Sequence, residues 1–244
     1  MTDVRTEPAD HSPAPAPVVQ SRAAAAALIA GGMIFFVAEL ITAAAWTDPP
    51  YSYTYHFISN LGVHDRSVVF DQLMYSPLAV VMKTGFVLFG LVAFAGVVLL
   101  KGMPPLRRLG VVATAALLAV GGVLVGLFPG SAEAVADGTD TYHTLGAFAA
   151  FAGGNVLVIL IGLAHRHIGI SQRLGRALMA LGTLGLISMV TFMAVLVSGA
   201  NVLIGLFERG GVYLFLIGLI AVGATLWKHR NRTAGRGVAG GVER

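Results

Sequence analysis

Five side chains stand where charge or titration is costly in an otherwise apolar chain: Glu39, Lys83, His143, Glu208 and Arg209. Ionisable groups inside long apolar runs turn towards a partner or a cavity, so each marks a place where binding or catalysis can occur. Glu39 lies seven residues before the end of one such run and Lys83 six residues into the next, counted from Pro77. At 1.5 Å rise per residue both sit roughly 10 Å below the same interface. Matching depth predicts a mutual ion pair, with a snorkelling Lys83 or a shared role in substrate or proton handling as alternatives. Glu208 and Arg209 are neighbours, and neighbours on a helix do not face each other. Each therefore needs a partner elsewhere: the acids of the 129–142 connection for Arg209, and Lys83 or Arg66 for Glu208. Arg209 with Lys83 could hold a phosphate or carboxylate; an inter-helix latch is the alternative.

A second set of groups could do metal or nucleophile chemistry. His64, Asp71, Asp140 and His143 combine imidazole and carboxylate, the ligand set of zinc hydrolases. No HExxH motif accompanies them, and no cofactor is expected beyond this weak divalent-metal option. Ser59, Ser67 and Ser76 lie near histidines in sequence, but no GxSxG elbow is present. There is no P-loop, and the absence of cysteine excludes disulfides and thiolate sites.

Six apolar runs must position these groups: 23–46, 77–100, 109–128, 143–163, 175–198 and 204–227. Each is long enough to span a bilayer as a helix, which takes about 20 residues. A mean hydropathy of +0.80 with 56% hydrophobic and 11% charged residues fits an integral membrane protein. The terminal segments and the connections around 101–108 and 164–176 hold thirteen of the sixteen Lys and Arg. Basic connections stay cytoplasmic. The expected fold is therefore an all-α polytopic membrane protein, a bundle of six transmembrane helices with both termini cytoplasmic, in a bacterial-type inner membrane. The connections 47–76, 129–142 and 199–203 then face outward. The chain divides into a disordered tail (1–21), the membrane domain (22–228) and a basic flexible tail (229–244). The positive charge is accounted for by topology, so nucleic acid is not an expected partner; the lipid bilayer is. The first outer connection carries Tyr51, Tyr53, Tyr55 and Phe57 and reads as an interfacial anchor, with room for a short amphipathic helix.

Four short motifs resemble the prokaryotic six-helix membrane family called domain of unknown function 998. They are 58–62 (ISNLG) after the first run, 126–129 (GLFP) ending the third, His143 opening the fourth and 205–209 (GLFER) opening the sixth. The resemblance covers most of 25–225. It implies a compact six-helix bundle and no assigned activity, and it draws attention to Ser59, His143, Glu208 and Arg209. Two departures stand out: Asn60, where the family often has an acid, and Lys83, which matches nothing in the pattern. The leading expectation is a non-enzymatic protein that binds a lipid headgroup or small anionic solute in an outward-facing polar pocket between the first, second, fourth and sixth runs. A membrane-embedded lipid hydrolase and a small transporter are the alternatives.

Overall fold

The computed structural model describes residues 19–239. Residues 1–18 of the expected tail 1–21 and residues 240–244 of the expected tail 229–244 lie outside the described residues, and the last helix continues from 229 to Ala239. Helix α1 (Arg22–Ala45) leads into a long connection holding a 3₁₀ turn (Ser59–Gly62) and two strands, β1 (Ser67–Val69) and β2 (Gln72–Met74). Then follow α2 (Ala79–Val98), α3 (Pro105–Leu127), α4 (Ala132–Asp137), α5 (Asp140–Leu163), α6 (His165–Ile168), α7 (Gln172–Ser198) and α8 (Ile204–Ala239). Six of these are long and apolar enough to cross a membrane: α1, α2, α3, α5, α7 and the Ile204–His229 part of α8. The protein is an all-α polytopic membrane protein.

Local chemistry sets the helix ends. Ser21 Oγ accepts the Ala24 N–H at 3.0 Å and Ser171 Oγ the Leu174 N–H at 3.2 Å, satisfying donors that a first turn leaves open. Pro105 starts α3, where its missing N–H costs nothing. Helix α3 thus begins ahead of its apolar run and takes Arg107 and Arg108 into its first turn. Arg108 reaches back to the carbonyls of Leu100 (2.5 Å) and Val98 (2.9 Å), which close the end of α2.

Each spanning helix packs against the next, and α8 closes the ring against α1 while also touching α5. Close approach requires glycine at the crossings. A Cβ on Gly122 of α3 would lie 2.6 Å from the Phe86 carbonyl oxygen of α2, so only hydrogen fits there. At one end of the ring, Gln20 donates to the carbonyls of Lys101 (2.9 Å) and Ile168 (3.3 Å) and accepts the Lys101 N–H (2.9 Å). This ties the residues just before α1 to the α2–α3 connection and to α6, in the basic segments. The other connections meet at the opposite, capped end: Ala132 N–H donates to Ser67 Oγ at 2.8 Å, and Leu206 N–H to the Thr54 carbonyl at 3.2 Å.

The cap is more structured than an interfacial anchor. Strands β1 and β2 pair antiparallel with Ser67 opposite Met74 and Val69 opposite Gln72. Phe70 and Asp71 turn the hairpin with φ of 51° and 58°, the left-handed values a two-residue turn demands. The segment 67–74 is therefore a hairpin of the cap, separate from α2. Gln72 pins the cap internally: its amide donates to the Tyr55 carbonyl at 2.6 Å, and its oxygen accepts from Asn60 Nδ2 at 2.7 Å and Phe57 N–H at 3.3 Å.

Candidate functional site

Glu208 and Arg209, at the start of α8, diverge as adjacent helical residues must, and each fastens the cap in a different way. Arg209 is 3% exposed and every Nη donor is engaged. Nη1 donates to the carbonyls of Tyr53 (2.8 Å), His56 (3.0 Å) and Gly205 (3.0 Å). Nη2 donates to Glu39 Oε1 at 3.0 Å and to the Tyr51 hydroxyl. The Tyr213 hydroxyl donates to the other Glu39 oxygen at 2.7 Å, and the guanidinium carbon stands 4.8 Å from the Tyr53 ring centre. Glu39, 2% exposed, thus has an arginine and a phenol, the complement a buried carboxylate requires.

The expected Glu39–Lys83 pair is not formed. At this level of α1 it is Ala38 that meets α2, against Gly85. A helix turns 100° per residue, so Glu39 faces α8 instead. Among the described residues Lys83 has neither ion pair nor side-chain hydrogen bond, and its Cγ lies 3.6 Å from where a Cβ on Gly62 would stand. Its stem therefore runs beside the cap. Nor does Arg209 meet the 129–142 acids, or Glu208 a lysine or Arg66. Arg66 stacks over Tyr75 at 5.2 Å.

Glu208 is 6% exposed, and its Oε2 accepts the Ile58 N–H at 2.5 Å, with a further backbone bond from Ser59. These are the first open donors of the 3₁₀ turn at Ser59–Gly62, so the carboxylate caps that turn. The same carboxylate lines a cavity of about 260 Å³ enclosed by the ring and roofed by the cap. Ser59 and His143 line it too, whereas Glu39, Lys83 and Arg209 do not. Half of the remaining wall is phenylalanine, with Phe35, Phe57, Phe86, Phe151, Phe192 and Phe215 among its residues. The pocket is thus apolar where a polar one was expected, and α3 and α7 contribute to it as well as the four expected helices. Its exposed edge is formed by Thr144 and Phe148 of α5 and by Phe70 at the hairpin tip.

His143 Nδ1 lies 2.8 Å from the Phe128 carbonyl oxygen. A carbonyl only accepts, so Nδ1 carries the proton and Nε2 is left as an acceptor. The four metal candidates are separated by similar engagements. His64 Nδ1 lies 3.3 Å from the Ser76 carbonyl oxygen, Asp71 turns the hairpin and Asp140 opens α5. Among the described residues no three of His, Asp and Glu gather as a ligand set.

Within the cap, burial and the nearby Arg209 charge push the His56 pKa below its ordinary value. The neutral ring fits its contacts: Nδ1 accepts the Ser52 N–H at 2.9 Å and the ring stacks on Trp46 at 5.2 Å. Burial holds the Tyr51 hydroxyl well above the usual phenol range, so it stays protonated beside Arg209.

Sequence reasoning missed Gln72, Tyr213 and Asn155. Tyr213 follows Arg209 by four residues, the spacing that puts both on one helix face. Asn155 is a lone amide in a span and fully buried. It donates to the carbonyls of Phe151 and Gly211, both at 2.8 Å, and sits against Gly185 of α7, where no side chain would fit.

Fold and site together define a multi-pass integral membrane protein with a capped, aromatic-lined cavity. Residues 29–225 match the family described as a protein of unknown function, DUF998, and the chain belongs to that family. No curated protein and no solved structure matches it.

Proposed function

We propose that this protein binds a hydrophobic chain, taken sideways from the bilayer into the aromatic cavity beneath the cap. The observation that carries the reading is a cavity of about 260 Å³ walled by phenylalanines, with Phe148 (41% exposed) and Phe70 (59%) at its edge. Apolar pockets with a few convergent polar groups are the usual form of a small-molecule site. Arg209 was the expected anchor for an anionic headgroup, but it is spent on Glu39 and three carbonyls. The ligand's apolar part therefore carries the proposal.

The basic end of the ring faces the cytoplasm in this reading and the cap faces outward, because Lys101, Arg107, Arg108, Arg166 and Arg173 cluster in the connections at that end. A bacterial-type inner membrane with both ends of the bundle inside is the matching location. The hydrolase alternative has one observation in its favour: Ser59 and His143 line the same cavity. No hydrogen bond joins the two among the described residues.

Photolabelling tests the proposal. A lipid with a diazirine in its acyl chain is expected to mark peptides spanning 143–151 and 192–196, and Ala147→Phe, which fills the cavity, is expected to remove that label. Label spread evenly over the bilayer-facing sides of α7 and α8, and unchanged by Ala147→Phe, would contradict it.

A further inference from the structure

The polar side chains that line the cavity are Glu208, His143, Ser59 and Thr144. Glu208 brings a carboxylate and His143 a ring nitrogen whose partner nitrogen is committed to the Phe128 carbonyl. Arg209, one residue from Glu208, turns away into its bonds with Glu39 and the cap. No Lys or Arg lines the wall. Resting on the chain-binding reading above, we infer that the polar end of the ligand is a protonated primary amine, held by Glu208 with its apolar chain among the phenylalanines.

Three physical points lead there. Lipid tails are as apolar as the cavity wall, so moving a chain from bilayer to cavity gains little hydrophobic free energy. Selectivity must then come from the polar end. Next, a carboxylate has about four lone-pair sites, and the Ile58 and Ser59 N–H groups supply only two hydrogen bonds and no neutralising charge. An ammonium group supplies both, whereas a carboxylate or phosphate would meet Glu208 with like charge. Finally, aromatic faces attract a cation placed over them, and Phe57 and Phe35 lie in the same wall. The amine could belong to a free alkylamine or to an ethanolamine lipid headgroup; the chemistry at Glu208 is the same.

The test uses the full chain in detergent near neutral pH, titrated with decylamine, decanol and decanoate, reading thermal midpoint and equilibrium dialysis. Decylamine is expected to bind at least about tenfold tighter than decanol, the effect of one charged hydrogen bond, with decanoate weakest. Glu208→Gln should erase the preference for amine while leaving decanol binding in place. If that variant fails to fold, the decylamine-to-decanol ratio of the unaltered protein still decides. Equal binding of decylamine and decanol, both lost in Ala147→Phe, overturns the amine assignment and leaves the chain-binding reading intact. Binding of neither, or binding that Ala147→Phe does not change, overturns both. Lysophosphatidylethanolamine compared with its choline counterpart separates the sources: an ethanolamine preference assigns a lipid headgroup, and its absence beside tight decylamine binding assigns a free amine.

Discussion

Glu39 and Arg209 show how buried charges are held together: the carboxylate meets the guanidinium and the Tyr213 hydroxyl. Of the guanidinium nitrogens, Nε is left without a hydrogen-bond partner among the described residues. Removing one member of such a pair leaves the other desolvated and unpaired, at a cost of about 3–5 kcal/mol. Glu39→Gln and Arg209→Gln are each expected to lower the thermal midpoint strongly, and the double variant by much less than the sum. Additive losses in a denaturation cycle would show that the two groups do not act as a pair. Lys83→Met is expected to change stability by no more than about 0.5 kcal/mol, because Lys83 has no polar partner among the described residues to lose. Depth along the chain was legible at this scale, since Glu39 and Lys83 do lie on neighbouring helices. Facing was not. One residue of rotation, from Ala38 to Glu39, moves the side chain from α2 to α8, and the partner lies 170 positions away.

At the scale of elements, the cap between α1 and α2 is the part that spacing and hydropathy describe least. The spans announce themselves by length and apolarity, and α8 starts at Ile204 where its apolar run begins. Strands of three residues carry too little pattern to be read, and the side chain that organises them, Gln72, is polar in a connection where polar residues are ordinary. His56 makes the cap sensitive to acid. Its pKa is lower folded than the unfolded value of about 6.5, so the unfolded chain binds the extra proton. The cap's stability is therefore full above that pH and falls as pH drops below it. Protection over 51–74, taken relative to the intrinsic exchange rate at each pH, is expected to fall between neutral pH and about pH 5, and His56→Gln is expected to flatten that response. Protection independent of pH across this window would remove His56 from the account.

For the whole molecule, the six candidate spans among the described residues carry the expectation that both ends of the bundle lie on one side of the membrane. Reporters fused before Arg22 and after Lys228 are expected to report the cytoplasm, and one inserted within 132–139 the opposite side. Ends on opposite sides would break the six-span ring, and ends together on the outside would reverse the orientation. Family membership over 29–225 covers the ring and the cap alike, so the cavity is enclosed by the matched region. What distinguishes it is a wall rich in phenylalanine, gathered from residues spread between Phe35 and Phe215 on all six spans, with one acidic side chain, Glu208, among them. Mass spectrometry of the gently extracted protein, beside Ala147→Phe, tests that centre most directly. The expected result is a stoichiometric apolar-chain amphiphile retained by the unaltered protein and missing from the variant. Identical bulk lipid on both would contradict it.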